Sequence, residues 1–156
     1  MKNIQYIILL ILTTTSISMA QTTFNPNQSL DKRNTWTKKD LMEPSALAAI
    51  ISNPKAKQAQ IFNIGVVEDI KGAKNMGGAS VNANLEKFKN ALSSLPKNTL
   101  VVVYCGCCPF EKCPNIRPAF NLMKSMGFTN GKLLNLPTNL KQNWIDKGFP
   151  LAQKKT

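Results

Sequence analysis

Four cysteines crowd into nine positions of this chain, Cys105, Cys107, Cys108 and Cys113, and they are the residues best fitted to do chemistry. A cysteine acts as its thiolate, which can attack an electrophile, pair as a disulfide or hold a soft metal ion. The chain contains no histidine. That excludes Ser-His-Asp and Cys-His catalysis, HExxH and Cys2His2 zinc sites, and haem attachment through C-x-x-C-H. Any reaction must draw on cysteine, lysine, arginine, tyrosine or the 8 carboxylate residues.

Four cysteines allow three pairings. A Cys107–Cys108 bridge would join neighbours about 3.8 Å apart at Cα, below the usual disulfide range. Two full pairings remain: Cys105 with Cys108 plus Cys107 with Cys113, or Cys105 with Cys107 plus Cys108 with Cys113. One bridge with two free thiols is equally open. The four sulfurs could instead hold Cu(I) or zinc, although their spacing is not that of a zinc ribbon. For Cys107, Cys108 and Cys113 a structural or resolving disulfide is the plainer role.

The elements around the cluster single out Cys105. Leu100–Tyr104 is a run of five apolar residues, which predicts a strand buried on both faces, as in a parallel sheet. Cys105 follows it directly. After the cysteine loop, Asn115 signals a helix that carries Pro118 in its first turn, continues through Phe120, Leu122, Met123 and Met126, and closes at Gly127. A cysteine between a buried strand and a helix N-terminus sits where loop N–H groups and the helix dipole favour an anion, which lowers the thiol pKa. Lys112 and Arg117 add positive charge. Arg117, in the first helical turn, opposes the dipole and so suggests an anionic partner, with a solvated side chain as the bland alternative.

Elsewhere the pattern alternates. Ser45 caps a short helix through Ile51, and Gln60–Val67 reads as a buried strand. Gly72, Gly77 and Gly78 mark a loop, and Asn84 caps a helix with an apolar face of Leu85, Phe88, Leu92 and Leu95. Lys132–Leu136 predicts a further strand and Asn139–Lys147 a short helix carrying Trp144. The fold class is therefore α/β with a mainly parallel sheet, in which ligands bind beyond the carboxyl ends of the strands. Glu68 and Asp69 are adjacent, so an extended chain sends them to opposite sides, and they read as solvated.

The N-terminus reads as an address. Lys2, the apolar stretch Ile4–Leu12 and the small residues before Gln21 have the form of a secretory signal peptide over residues 1–20, too short for a stable membrane anchor. An exported, periplasmic or secreted protein is expected. Residues 21–39 read as a linker or N-terminal arm, with Trp36 large enough to dock on the domain that occupies 40–156. The 156 residues carry 20 Lys plus Arg against 8 Asp plus Glu, a formal charge of +12. The lysines are dispersed and no recognition motif accompanies them, so nucleic acid is not an expected partner; small anions suit the field better.

In order along the chain, Ile61-Phe62-Asn63-Ile64, Met76-Gly77-Gly78-Ala79, Leu95-Pro96-Lys97, Val101-Val102-Val103-Tyr104-Cys105, Gly127-Phe128, Leu136, Trp144 and Gly148-Phe149-Pro150 resemble the pattern of a single rhodanese domain. The resemblance runs from about Trp36 to Ala152 and implies a central parallel sheet with helices on both faces. It also implies sulfur transfer: a cysteine thiolate takes the outer sulfur of a thiosulfate-like donor as a persulfide and passes it to a thiol acceptor. Cys105 matches the catalytic position, with Gly106, Cys107, Cys108, Lys112 and Arg117 as the expected substrate-binding residues, and no cofactor is implied. The pattern departs from the family where Asn63-Ile64-Gly65 replaces Asp-x-Arg, where Asn75 stands for a histidine, and in a longer cysteine loop. The loop looks like that of an exported rhodanese-like subgroup. A redox or metal-binding module serving an exported partner protein is the alternative.

Overall fold

The computed structural model describes residues 36–153. The expected signal peptide and residues 21–35 of the expected arm lie outside the described residues. No helix among those described is long and apolar enough to cross a membrane.

Five strands form one sheet, β1 (Leu41–Met42), β2 (Gln60–Asn63), β3 (Ala73–Asn75), β4 (Val101–Tyr104) and β5 (Gly131–Leu134). Their order is β1-β5-β4-β2-β3, and every pair of neighbours is parallel. The expected α/β class and parallel sheet are thus present, with β4 in the centre. Central placement follows from its sequence: all four residues of β4 are wholly buried, which only a strand covered on both faces permits.

Alternation along the strands divides the core in two. Val101 and Val103 join Phe62 and Leu133 on one face, where Phe88 and Leu92 of α2 (Asn82–Ser93) and Phe120 and Met123 of α3 (Ile116–Ser125) cover them. Val102 and Tyr104 join Ile61 and Leu134 on the other, under Leu47 of α1 (Pro44–Ser52), Leu140 of α4 (Leu140–Asn143) and Trp144. Trp36 docks as expected. It is buried against Phe110 and Phe120, with ring centroids 5.8 Å and 6.1 Å away. A 3-10 turn at Lys38–Asp40 then leads into β1, so the last residues of the expected arm pack with the domain.

Several boundaries move for local reasons. The strand expected to reach Val67 stops at Asn63, because the buried Asn63 side chain bends the following chain: its Oδ1 accepts the Gly65 N–H at 3.0 Å and its Nδ2 donates to the Val67 carbonyl at 2.8 Å. Val66 is left 81% exposed. β3 occupies part of the expected glycine loop; three partly polar residues are too few to show a periodicity. α1 starts at Pro44 after Glu43, which places Ser45 inside the first turn. α2 starts at Asn82, and Asn84 donates to the Gly78 carbonyl at 3.1 Å instead of capping. β5 begins one residue earlier than expected, at Gly131, and ends at Leu134, although Leu136 is still buried. The last expected helix breaks at Trp144 into α4 and a 3-10 turn, while Asn139 caps α4 by accepting the Gln142 N–H at 2.8 Å.

Candidate active site

The carboxyl ends of β2, β3 and β4 converge on one polar patch. At its floor, Asp69 accepts from Asn63 Nδ2 at 2.8 Å and from Asn75 Nδ2 at 3.0 Å. This corrects the expectation that Asp69 is merely solvated: its carboxylate ties β2 to β3. Asn63 and Asn75 have their amides committed to this frame, Asn75 Oδ1 also accepting the Gly77 N–H at 3.0 Å. The Tyr104 hydroxyl accepts the Ile70 N–H at 2.9 Å and lies 3.2 Å from the Glu68 carbonyl, fastening the same loop to β4. Burial pushes the Tyr104 phenol well above its ordinary pKa, so it is a neutral strut.

Cys105 stands on this frame, immediately after the central strand. It is only 1% exposed, and the cause is its neighbours. Gly65 runs so close that a Cβ there would meet Cys105 O and Sγ at 2.7 Å. Cys107 folds back from the other side, its Sγ 3.3 Å from Cys105 Sγ. The expected nucleophile is therefore covered, and the exposed thiol of the pair is Cys107.

Gly106 makes that return possible. Its φ of +78° lies where side-chain-bearing residues are strained, and its carbonyl accepts the Leu140 N–H at 2.8 Å. Downstream, a 3-10 turn at Phe110–Lys112 buries Phe110 beneath Trp36 and returns Cys113 to the interior. The sulfurs of Cys105, Cys107 and Cys113 all lie within 4.8 Å of one another.

Sequence reasoning names Asn115 only as a helix signal, yet its side chain hydrogen-bonds the cysteine directly. It is buried at the residue before α3, donates Nδ2 to Cys105 Sγ at 3.2 Å, and accepts the Ser80 N–H on Oδ1 at 2.8 Å. Spacing alone could not reveal this, because Ser80 and Asn115 meet only in the folded chain.

These contacts decide where the negative charge resides. The Cys105 thiol is held down at about 5, by the hydrogen bond from Cys113 first, against an opposing effect of burial, and then by Asn115 and by the N–H and thiol of Cys107. Cys113 is pushed up by the same hydrogen bond and by burial. Cys107 is pushed up to about 12, by partial burial of its sulfur first and then by the Cys105 and Cys108 sulfurs. One thiolate is thus shared by three sulfurs, with Cys105 bearing the charge and the other two donating.

The remaining expected residues scatter. Cys108 is half-buried, its Sγ 3.5 Å from Cys107 Sγ and outside the trio. Lys112 is exposed on the loop. The Arg117 guanidinium lies 5.3 Å from the centre of the Trp36 ring, a cation–π contact that accounts for a cation in the first helical turn. All four cysteines are free thiols in this structure. The buried neighbour of Cys105 is Cys113, a partner that both pairings left out. A soft ion such as Cu(I) or zinc could reach three sulfurs here rather than the four expected.

Two large apolar side chains stand exposed beside the site. Val66 follows Gly65, and Val81 follows Ser80. Neither a protein-family model nor a curated protein sequence matches the chain.

Proposed function

We propose that this protein is a rhodanese-like sulfurtransferase that carries sulfane sulfur on Cys105. The observation that carries the reading is the Cys105 sulfur itself: it follows the central parallel strand and accepts hydrogen bonds from Asn115 and neighbouring thiols, so it is the ionised member of the cluster. A thiolate at the carboxyl end of such a sheet is a prepared nucleophile.

The reaction follows from that charge. With the Cys107 side chain turned aside, Cys105 Sγ attacks the outer sulfur of thiosulfate or a similar anionic donor. The donor's S–S bond breaks, sulfite leaves with the electron pair, and a persulfide remains on Cys105. An acceptor thiolate then attacks the outer sulfur, carries it away as its own persulfide, and returns Cys105 to thiolate. Asn115 and the Cys107 N–H supply donors to the sulfur anion through both steps. The basic chain favours approach of an anionic donor. Export to the periplasm or outside the cell, and service to an exported partner, belong to the same proposal and rest on the N-terminal sequence.

Intact mass of the reduced protein after incubation with thiosulfate tests the reading. Sulfur should be taken up by the protein or released from it as sulfide, and Cys105→Ser should abolish both. No sulfur gained or released by the native protein would overturn it. So would one copper or zinc per chain in protein purified without chelator.

A further inference from the structure

Cys107 has no covalent part in simple sulfur transfer, yet the fold holds its thiol against the nucleophile. The two sulfurs are 3.3 Å apart across a single glycine. Gly106 is fixed in its turn by the Leu140 N–H, and a Cβ at position 106 would meet Leu140 Cβ at 2.7 Å. Of the trio, Cys105 and Cys113 are enclosed while Cys107 faces solvent. Cys108 neighbours Cys107 rather than Cys105.

We propose that Cys107 is a resolving thiol: it discharges the Cys105 persulfide as hydrogen sulfide and leaves a Cys105–Cys107 disulfide, so the protein reduces sulfane sulfur. The inference rests on the reading of Cys105 as the sulfur carrier. In the discharge step the Cys107 sulfur attacks Cys105 Sγ, the bond from Cys105 to the outer sulfur breaks, and that sulfur departs with the electron pair. The proton of Cys107 leaves with it as HS⁻. The outer sulfur is reduced to sulfide and the two thiols are oxidised to the disulfide, so the step is balanced without another reactant. A second turnover requires a small or protein dithiol, which opens the disulfide by exchange and is itself oxidised.

Charge movement favours this order of events. While Cys105 is a thiolate, its sulfur helps hold the proton on Cys107. Once Cys105 carries the outer sulfur, the negative charge moves outward by one atom and that hold weakens. The exposed position of Cys107 also lets an external dithiol reach the product disulfide from solvent.

The test uses the full reduced chain, one equivalent of thiosulfate, no other thiol and no air, with sulfide and intact mass as readouts. The native protein should release one sulfide per chain and end two hydrogens lighter. Cys107→Ser and Cys107→Ala should release none and end one sulfur heavier. A native protein that keeps the added sulfur, and releases no more sulfide than the Cys107 variants, would overturn the inference and leave the carrier reading standing. If no variant gains sulfur or releases sulfide, the carrier reading falls and takes this one with it.

Discussion

Asn115 donates its Nδ2 to Cys105 Sγ at 3.2 Å, so the residue that opens α3 also orients the sulfur at the end of β4. Its Oδ1 is held by the Ser80 N–H, which fixes the direction of the amide. Replacing it tests how much of the thiolate depends on one neutral donor. Asn115→Asp puts a carboxylate where the donor was, and like charges disfavour ionisation. The pH midpoint of sulfur loading should move upward from about 5, so loading slows most near and below that pH and slows at neutral pH only as the midpoint approaches about 7. Asn115→Ala should shift the midpoint less, because Cys113 and Cys107 still donate. It should also cost about 0.5–1.5 kcal/mol of stability, read from urea unfolding, because the part-buried hydrogen bond from the Ser80 N–H is lost.

The charge on Cys105 predicts a pH profile. Its folded pKa is lowered to about 5, so the thiolate is complete at neutral pH and is lost as the pH falls through that value. Loading should be flat across neutral pH and fall about tenfold per pH unit well below the midpoint. Thiolate ultraviolet absorbance should titrate with the same midpoint, and Cys105→Ser should remove it. Stability carries the same sign. In the unfolded chain a thiol titrates near about 8.5, so the contribution of Cys105 is full above that pH and drains away as the pH falls toward its folded value. Cys107 and Cys113 are shifted upward and contribute in the opposite sense, their share being lost as the pH rises above the unfolded value. A midpoint near the ordinary thiol value would remove the thiolate from the account.

Trp36 predicts where a stable domain must begin. Its ring meets Phe110 and Phe120 and lies under Arg117, so it clamps the cysteine loop onto α3. Trp36→Ala should cost about 3–5 kcal/mol, as deletion of a buried aromatic side chain does. A chain starting at residue 40 should unfold at lower urea than one starting at residue 36, and equal midpoints would show that the clamp adds nothing.

Much of this frame was legible in the chain because it depends on local pattern. The five apolar residues through Tyr104 announced the central strand, and the strand announced Cys105 as the residue at its mouth. Covering was not legible. Gly65 meets Cys105 from 40 positions away, and Cys113 and Asn115, though close in sequence, reach it only through the path of the loop, which spacing does not encode. The same limit explains Arg117, whose ring partner Trp36 is 81 positions away. Asp69 is held for a different reason: Asn63 and Asn75, six positions to either side, converge on it only because β2 and β3 pair. The loop also brings Cys113 beside Cys105, within the same trio of sulfurs as Cys107.

Gly65 supplies the most local test of the covered site. Its φ is ordinary, so any residue could adopt its backbone, and only space forbids one. An added methyl would meet the carbonyl oxygen and the sulfur of Cys105, both at 2.7 Å. Backbone cannot yield cheaply, so Gly65→Ala must push the 65–69 loop and Cys105 apart. Overpacking of this kind costs about 1–3 kcal/mol, measurable as a lower urea midpoint with an unchanged slope. Because Cys105 moves relative to Asn115, the thiolate titration should shift upward in the same variant. Gly72→Ala provides the contrast: its φ of +82° brings backbone strain, but nothing lies within 4 Å of the new methyl. It should lose stability while keeping the native titration midpoint. Equal midpoints in all three proteins would show that the close approach of Gly65 does not help to set the ionisation of Cys105.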